Sequence, residues 1–234
     1  GAASGIGRAI ALAFAGAGAT VAVNHFGQAQ AAAAVVEACG SAAAAFDADV
    51  GKVAAVARLF DEVEAAFGGI DILVNNAAIV QVKPFLELTD DDWDRVLETN
   101  LKSVFLCCRA ALPAMLPRGS GCIINIASEL AYLGRAQYAA YTAAKGGVIT
   151  LTRSLAREFA PTVRVNGIAP GPTDTPMLRS ELAITGALDA ETAIPAGRLG
   201  RPEEIAATAL FLASEHAGFY HGEMLSPNGG ALMR

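Results

Sequence analysis

Short apolar runs alternate along this chain with longer segments of helical period, and that alternation constrains the fold more than any other feature. Residues 19–25 (ATVAVNH), 42–46, 70–75 (IDILVN), 121–127 (GCIINIA), 162–168 (TVRVNGI) and a short 223–226 read as strands. Between them, 28–39, 52–67, the stretch from Thr89 to about Leu112, 138–160 and 202–213 read as helices. Strand followed by helix, repeated, predicts a parallel sheet covered on both faces: a doubly wound α/β domain of the Rossmann type. No linker or internal repeat divides it, so residues 1–234 form one nucleotide-binding and catalytic domain. About seven strands are expected. The first is expected to precede Gly1, because the sequence opens without Met in the middle of a turn.

Composition removes several function classes. A net charge of −6 without a basic block argues against nucleic acid or an anionic membrane as a main partner. No apolar run reaches the roughly 18 residues a span needs, and no secretory signal is evident. Cys39, Cys107, Cys108 and Cys122 lie in apolar segments without zinc-ligand spacing, as reduced thiols of a cytoplasmic protein would. His25, His216 and His221 form no metal or triad pattern, so no metal is expected.

Two motifs carry chemistry. GAASGIG places Gly1, Gly5 and Gly7 just before the helical run RAIALAFAGAG. Small residues there let the backbone approach a pyrophosphate, which the helix N-terminus also attracts. In YTAAK, Tyr141 and Lys145 sit one turn apart on one helical face. A free phenol titrates near about 10; a nearby ammonium lowers that value, so the pair is suited to proton transfer. Ser128 lies 13 residues before Tyr141, and Asn75-Asn76-Ala77 closes the third strand.

Together these motifs resemble the short-chain dehydrogenase/reductase family, in family order and along essentially the whole chain. Asp49-Val50, NNAA at 75–78, Asn100, PGPTDT at 170–175 and RLGRPEEIA at 198–206 complete the likeness. It is nearest to the 3-oxoacyl-[acyl-carrier-protein] reductase-like branch, through IPAGRLGRPEEIA and GEMLSPNGG. The resemblance implies an oxidoreductase that moves hydride between NAD(P)(H) and a ketone or secondary alcohol. Ser128 would bond the substrate oxygen. Tyr141 would pass the proton, and Lys145 would depress the Tyr141 pKa and hold the nicotinamide ribose. Asn100 would hold a water leading to Lys145. Tyr138 lacks a lysine partner and reads as pocket wall, with Met177 and Leu178 beside the substrate.

For the cofactor, the resemblance implies contacts from Gly1, Ser4, Gly5, Ile6 and Gly7 in the loop. Asn24, His25 and Phe26 would follow at the second strand end, with Asp49 and Val50 at the adenine. Asn76, Ala77 and Ala78 would line the nucleotide, with Ala78 where the family usually has Gly. Pro170, Gly171, Thr173 and Thr175 would complete the pocket. An Asp at the second strand end selects NAD by repelling a 2′-phosphate. His25 stands there instead, yet Ser4 replaces the usual basic residue. NADP or NAD therefore fits, leaning to NADP because the excluding carboxylate is missing.

A substrate lid is expected at about 177–197, apolar through Leu178, Leu182, Ile184 and Leu188. That suits a 3-oxoacyl thioester, with Arg135, Arg179 and Arg198 facing an acidic carrier. A sugar or polyol dehydrogenase is an alternative, and a non-catalytic nucleotide-binding protein another. The resemblance implies a homotetramer, in which relatives pair the helices equivalent to 91–112 and 138–160; both carry apolar residues on more than one face here (Val104, Phe105, Val148, Leu151).

Overall fold

A computed structural model describes residues 1–40 and 42–233. In chain order the elements are α1 (Gly5–Gly16), β1 (Val21–His25), α2 (Ala29–Cys39), β2 (Ala43–Asp47), α3 (Val53–Phe67) and β3 (Ile72–Asn75). Next come α4 (Asp90–Leu97), α5 (Ser103–Arg118), β4 (Gly121–Ile126), α6 (Leu130–Leu133), α7 (Ala139–Phe159) and β5 (Val163–Ile168). The chain ends with α8 (Pro176–Thr185), α9 (Leu188–Thr192), α10 (Pro202–Ala213) and β6 (Met224–Leu225).

Strand alternation divides the core into two layers. Cys122, Ile124 and Ile126 of β4 face α1 and α10, where they meet Ile10, Phe14, Ile205 and Leu212. Ile123 points the other way, with Val165, onto Val104, Leu112, Met115 and Val148 of α5 and α7. Helices therefore cover both faces, as the alternation predicts. The polar Asn125 on the α7 side is satisfied within the core: it accepts from Asn75 Nδ2 at 2.8 Å and donates to Thr152 Oγ1 at 2.9 Å.

All strand pairs are parallel, but they form two sheets, β1–β2 and β3–β4–β5–β6. Among the described residues, β1 and β3 do not pair with each other. A cavity of about 510 Å³ lies there, lined by Val21, Asn24, Leu73 and Asn75 and by Ile10 and Phe14. The N-terminal residues bridge one end of this gap. Ala2 N–H donates to Asn24 O at 2.8 Å, and Asn76 Nδ2 donates to Gly1 O at 2.7 Å.

The helix expected from Thr89 to Leu112 is in three parts. Thr89 caps α4 reciprocally with Asp92. A π-helical turn, Glu98–Lys102, then offsets the register before α5 begins. Pro113 does not end α5, which runs to Arg118 with Met115 fully buried. The turn brings Asn100 inside. Val104 and Val148, expected to serve association, are fully used in this chain's own core; Phe105 is 44% exposed. The four cysteines are free, and burial raises the Cys107 and Cys108 thiols to about 12. No described helix is long and apolar enough to cross a membrane, and the described residues hold no metal-binding cluster.

Candidate active site

Parallel strands deliver their C-terminal ends to one edge of the sheet, and there the motifs converge. Ser128 follows β4, Asn76 follows β3, and the Pro170–Thr175 loop follows β5. A cleft of about 280 Å³ brings together Ser4, Gly5, Ile6, Ala78, Ser128, Tyr138, Tyr141, Lys145, Gly171, Thr173, Thr175, Met177 and Leu178. Gly1, Asn76, Ala77 and Pro170 complete the same wall. Asn24 and Val50 line the inter-sheet cavity instead, with Gly7.

The glycine loop is crowded as a phosphate cradle should be. A methyl on Gly7 would lie 2.1 Å from Gly1 O and 2.6 Å from Asn76 Nδ2. Gly5 takes φ +53°, where side chains are strained. Ser4 precedes α1 without a side-chain cap, so the first-turn N–H groups of α1 stay available to an anion. These residues fit a dinucleotide. Asp49 Oδ1 is engaged in its own turn, accepting from Gly51 N–H at 2.9 Å. The threonines also have local roles: Thr175 caps α8 and Thr173 Oγ1 donates to Gly171 O.

His25 is buried, and its Nδ1 accepts from Gln28 N–H at 3.3 Å. The exposed charge at this strand end is Asp47, one strand over. Its Oδ1 accepts from Gly27 N–H at 3.1 Å and lies 3.7 Å from His25 Nδ1. A carboxylate therefore does stand near this turn, contributed by the neighbouring strand rather than by position 25.

Tyr141 and Ser128 line the same cleft, and Ser128 Oγ accepts from Leu130 N–H at 3.1 Å. Lys145 is buried and donates from Nζ to Ile126 O at 2.7 Å. Its ammonium lies 5.9 Å from the Tyr141 ring centre. Burial lowers the Lys145 pKa to about 8. It also raises Tyr141 to about 12, with Ser128 pulling down and Glu181 and Glu129 adding to the rise. The expected lowering of Tyr141 by Lys145 is not the dominant effect here; desolvation is.

Asn100 is buried, and its side chain is bonded to the segment after β3. Its Oδ1 accepts from Ile79 N–H and its Nδ2 donates to Ile79 O, both at 2.8 Å. The side chain thus pins the segment after Asn76–Ala78, and both of its polar groups are engaged with protein.

Three carboxyl groups that sequence reasoning did not assign to the substrate cleft also line it, Glu129, Glu181 and Glu191, together with Arg135. Tyr138 Oη donates to Glu181 Oε2 at 2.9 Å, so Tyr138 is more than packing. Arg135 pairs with Glu191 and stacks over the Tyr138 ring at 4.8 Å. Arg179 pairs with Asp174, and Arg198 with Glu204. All three arginines expected to face an acidic carrier are thus paired with carboxylates. Of the apolar residues expected in a lid, Leu178 is buried, but Ile184 and Leu188 face outward, 74% and 48% exposed. Only the adjacency of Glu129 to Ser128 hinted at the acidic lining.

Comparison with known proteins agrees with this architecture. A family profile described as enoyl-(acyl carrier protein) reductase matches residues 1–231. The 3-oxoacyl-[acyl-carrier-protein] reductase of Staphylococcus aureus is 42% identical over 243 residues, covering 100% of this chain and 96% of the relative. The 3β-hydroxysteroid dehydrogenase 1 of Eggerthella lenta is 40% identical, covering 98% and 90%. A solved short-chain dehydrogenase/reductase from Brucella melitensis, described as glucose/ribitol dehydrogenase, superposes with a TM-score of 0.93 at 39% identity, covering 100% and 95%.

Proposed function

The chain belongs to the short-chain dehydrogenase/reductase family, and from that premise we propose that Ser128, Tyr141 and Lys145 carry its NAD(P)-dependent oxidation of secondary alcohols and reduction of ketones. The observation that supports this reading is the meeting of Ser128, Tyr141 and the buried Lys145 in one cleft that also holds the glycine loop. Bound NAD(P)(H) supplies or accepts the hydride. Ser128 Oγ donates to the substrate oxygen, and Tyr141 Oη delivers or removes its proton. Both donors are fixed before negative charge builds on that oxygen, which is what stabilises the transition state. A phenol near about 12 is protonated at neutral pH, so Tyr141 stands ready as the acid for ketone reduction. Alcohol oxidation must first remove that proton and gains as pH rises.

Lys145 holds the helix face to the end of β4 through Ile126 O and keeps a donor beside Tyr141. Asn100 acts as a positioning residue for the 76–79 segment. Both nicotinamide nucleotides are used. Residues 1–234 act as one domain, with α8 and α9 as its lid. The same reading includes a homotetramer, for which Phe105 and Leu116 leave apolar surface on α5.

The test is Tyr141→Phe, which removes only the hydroxyl. It should lower kcat by about 10²–10⁴-fold and leave cofactor affinity near wild type. Retention of more than a tenth of wild-type kcat would overturn the assignment.

A further inference from the structure

Glu129 is a buried carboxylate that the proposed hydride transfer does not use. It is 5% exposed, lies next to Ser128 and lines the cleft that holds Tyr141. Its Oε2 has no hydrogen-bond partner among the described residues. A buried carboxylate oxygen left unpaired costs free energy unless something bonds to it. The surroundings are shaped around it. Glu129 N–H donates to Pro170 O at 3.1 Å, which fixes the residue against the loop after β5. Residue 171 is glycine, and a methyl there would lie 2.8 Å from Glu129 Oε2. The carboxylate thus occupies room that any larger residue would take away.

The groups around it are already committed. Arg135 pairs with Glu191 of α9, and Glu181 of α8 accepts from Tyr138. Three carboxyl groups face a single guanidinium at this end of the cleft. Glu129 itself is raised to about 7, first by burial and then by Glu191, with Arg135 opposing. Such a lining disfavours anionic substrates and leaves one uncommitted carboxyl beside Ser128. A hydroxyl on the neighbouring carbon of an alcohol substrate is the donor that matches it. A plain alkyl chain offers Glu129 nothing.

We propose that Glu129 is a specificity-determining residue that accepts a hydrogen bond from a substrate hydroxyl near the reacting carbinol, so that the enzyme takes uncharged polyhydroxylated substrates, alditols or sugars, in preference to simple alcohols. This inference rests on the proposed function of the same cleft.

Two readouts separate the two claims. The first is saturation-transfer NMR with ribitol, sorbitol, glucose and 2-pentanol, on wild type, Glu129→Gln and Glu129→Ala. The second is turnover of the same compounds with NAD and NADP, followed by nicotinamide absorbance. At least one polyol should give saturation transfer with wild type, reduced several-fold in both variants. The ratio of polyol to 2-pentanol kcat/KM should exceed about 30 in wild type and fall at least tenfold in the variants, mostly through KM; a purely structural role would lower both substrates together. Thermal melting and cofactor titration of each variant verify that it is folded. The inference is overturned if no polyol contacts wild type, if contact is equal in Glu129→Ala, or if wild type prefers 2-pentanol. The reading of the catalytic group fails separately, if Tyr141→Phe turns over at the wild-type rate while the polyol contact still depends on Glu129.

Discussion

Tyr138 Oη donates to Glu181 Oε2 at 2.9 Å, and this bond joins the start of the helix that carries Tyr141 to the helix that overhangs the cleft. The Arg135–Glu191 pair makes a second such tie, to α9. The proposed lid, α8 and α9, is thus tied over the cleft by polar contacts. Burial raises the Glu181 carboxyl while Tyr138 and Arg135 pull it down.

Tyr138→Phe should loosen that lid. A hydrogen bond to a charged group contributes about 1.5–3 kcal/mol, and its loss leaves the Glu181 carboxylate buried without that donor. KM for the alcohol should rise about tenfold, with a smaller change in kcat. Limited proteolysis between residues 176 and 192 should speed up. An unchanged KM together with an unchanged cleavage rate would show that the bond does not hold the lid.

Lys145 should give the fold a specific pH dependence. Its native pKa is lowered from 10.5 to about 8 by burial. Between those values the unfolded chain keeps a proton that the native state has released, so this group's contribution to stability rises with pH. Below about 8 both states are protonated, the slope vanishes, and the cost of burying the charge is fully present. Each pKa unit is worth about 1.4 kcal/mol, so the whole window amounts to about 3 kcal/mol. Urea melts of wild type and Lys145→Met across this range should diverge accordingly, wild type gaining on the variant only above pH 8. Parallel curves would mean that the lysine is not desolvated.

The glycine loop offers a paired test. A methyl on Gly7 would meet Gly1 O at 2.1 Å, whereas one on Gly16 meets nothing within 4 Å. Gly7→Ala should therefore weaken nucleotide binding at least tenfold, by fluorescence titration, and lower the melting temperature. Gly16→Ala should bind as wild type does and melt no lower, because alanine is the better helix former. Equal affinities in the two variants would remove the loop from the cofactor site.

Local signals made most of the frame legible. Apolar runs bounded by turns gave β1 to β5 within about two residues, and Thr89 with its acidic turn marked the start of α4. Tyr141, Lys145 and Ser128 were visible because their spacing is itself the signal. What stayed hidden depends on elements far apart in sequence. Glu129, Glu181 and Glu191 sit on three segments and form one acidic lining only once α8 and α9 fold over α6. The π-helical turn at Glu98–Lys102 has no glycine or proline to announce it. The pKa of Tyr141 was misjudged because the lysine's effect is local and can be read from sequence, whereas desolvation needs the packed site.

Cofactor preference turns on a similar long-range contact. His25 was expected to face the adenosine ribose, but its side chain is buried and capped by Gln28 N–H. The charge at that strand end belongs to Asp47, whose side chain is 59% exposed and accepts from Gly27 N–H in the turn between β1 and α2. If the ribose lies over that turn, this carboxylate repels a 2′-phosphate. Its exposure limits the effect to about 1 kcal/mol, roughly fivefold in an equilibrium. Wild type should therefore use both nucleotides, with kcat/KM values within about thirtyfold. Asp47→Asn should raise the NADP/NAD ratio by about three- to fivefold. The change should shrink at high salt, because an exposed charge is screened over about 10 Å at 0.1 M. His25→Asp should lower the ratio by adding a second carboxylate, and should also lower the melting temperature, since the new charge would be buried. If Asp47→Asn leaves the ratio unchanged at low salt, the ribose does not lie over the β1–α2 turn, and the cofactor enters the cleft from another side.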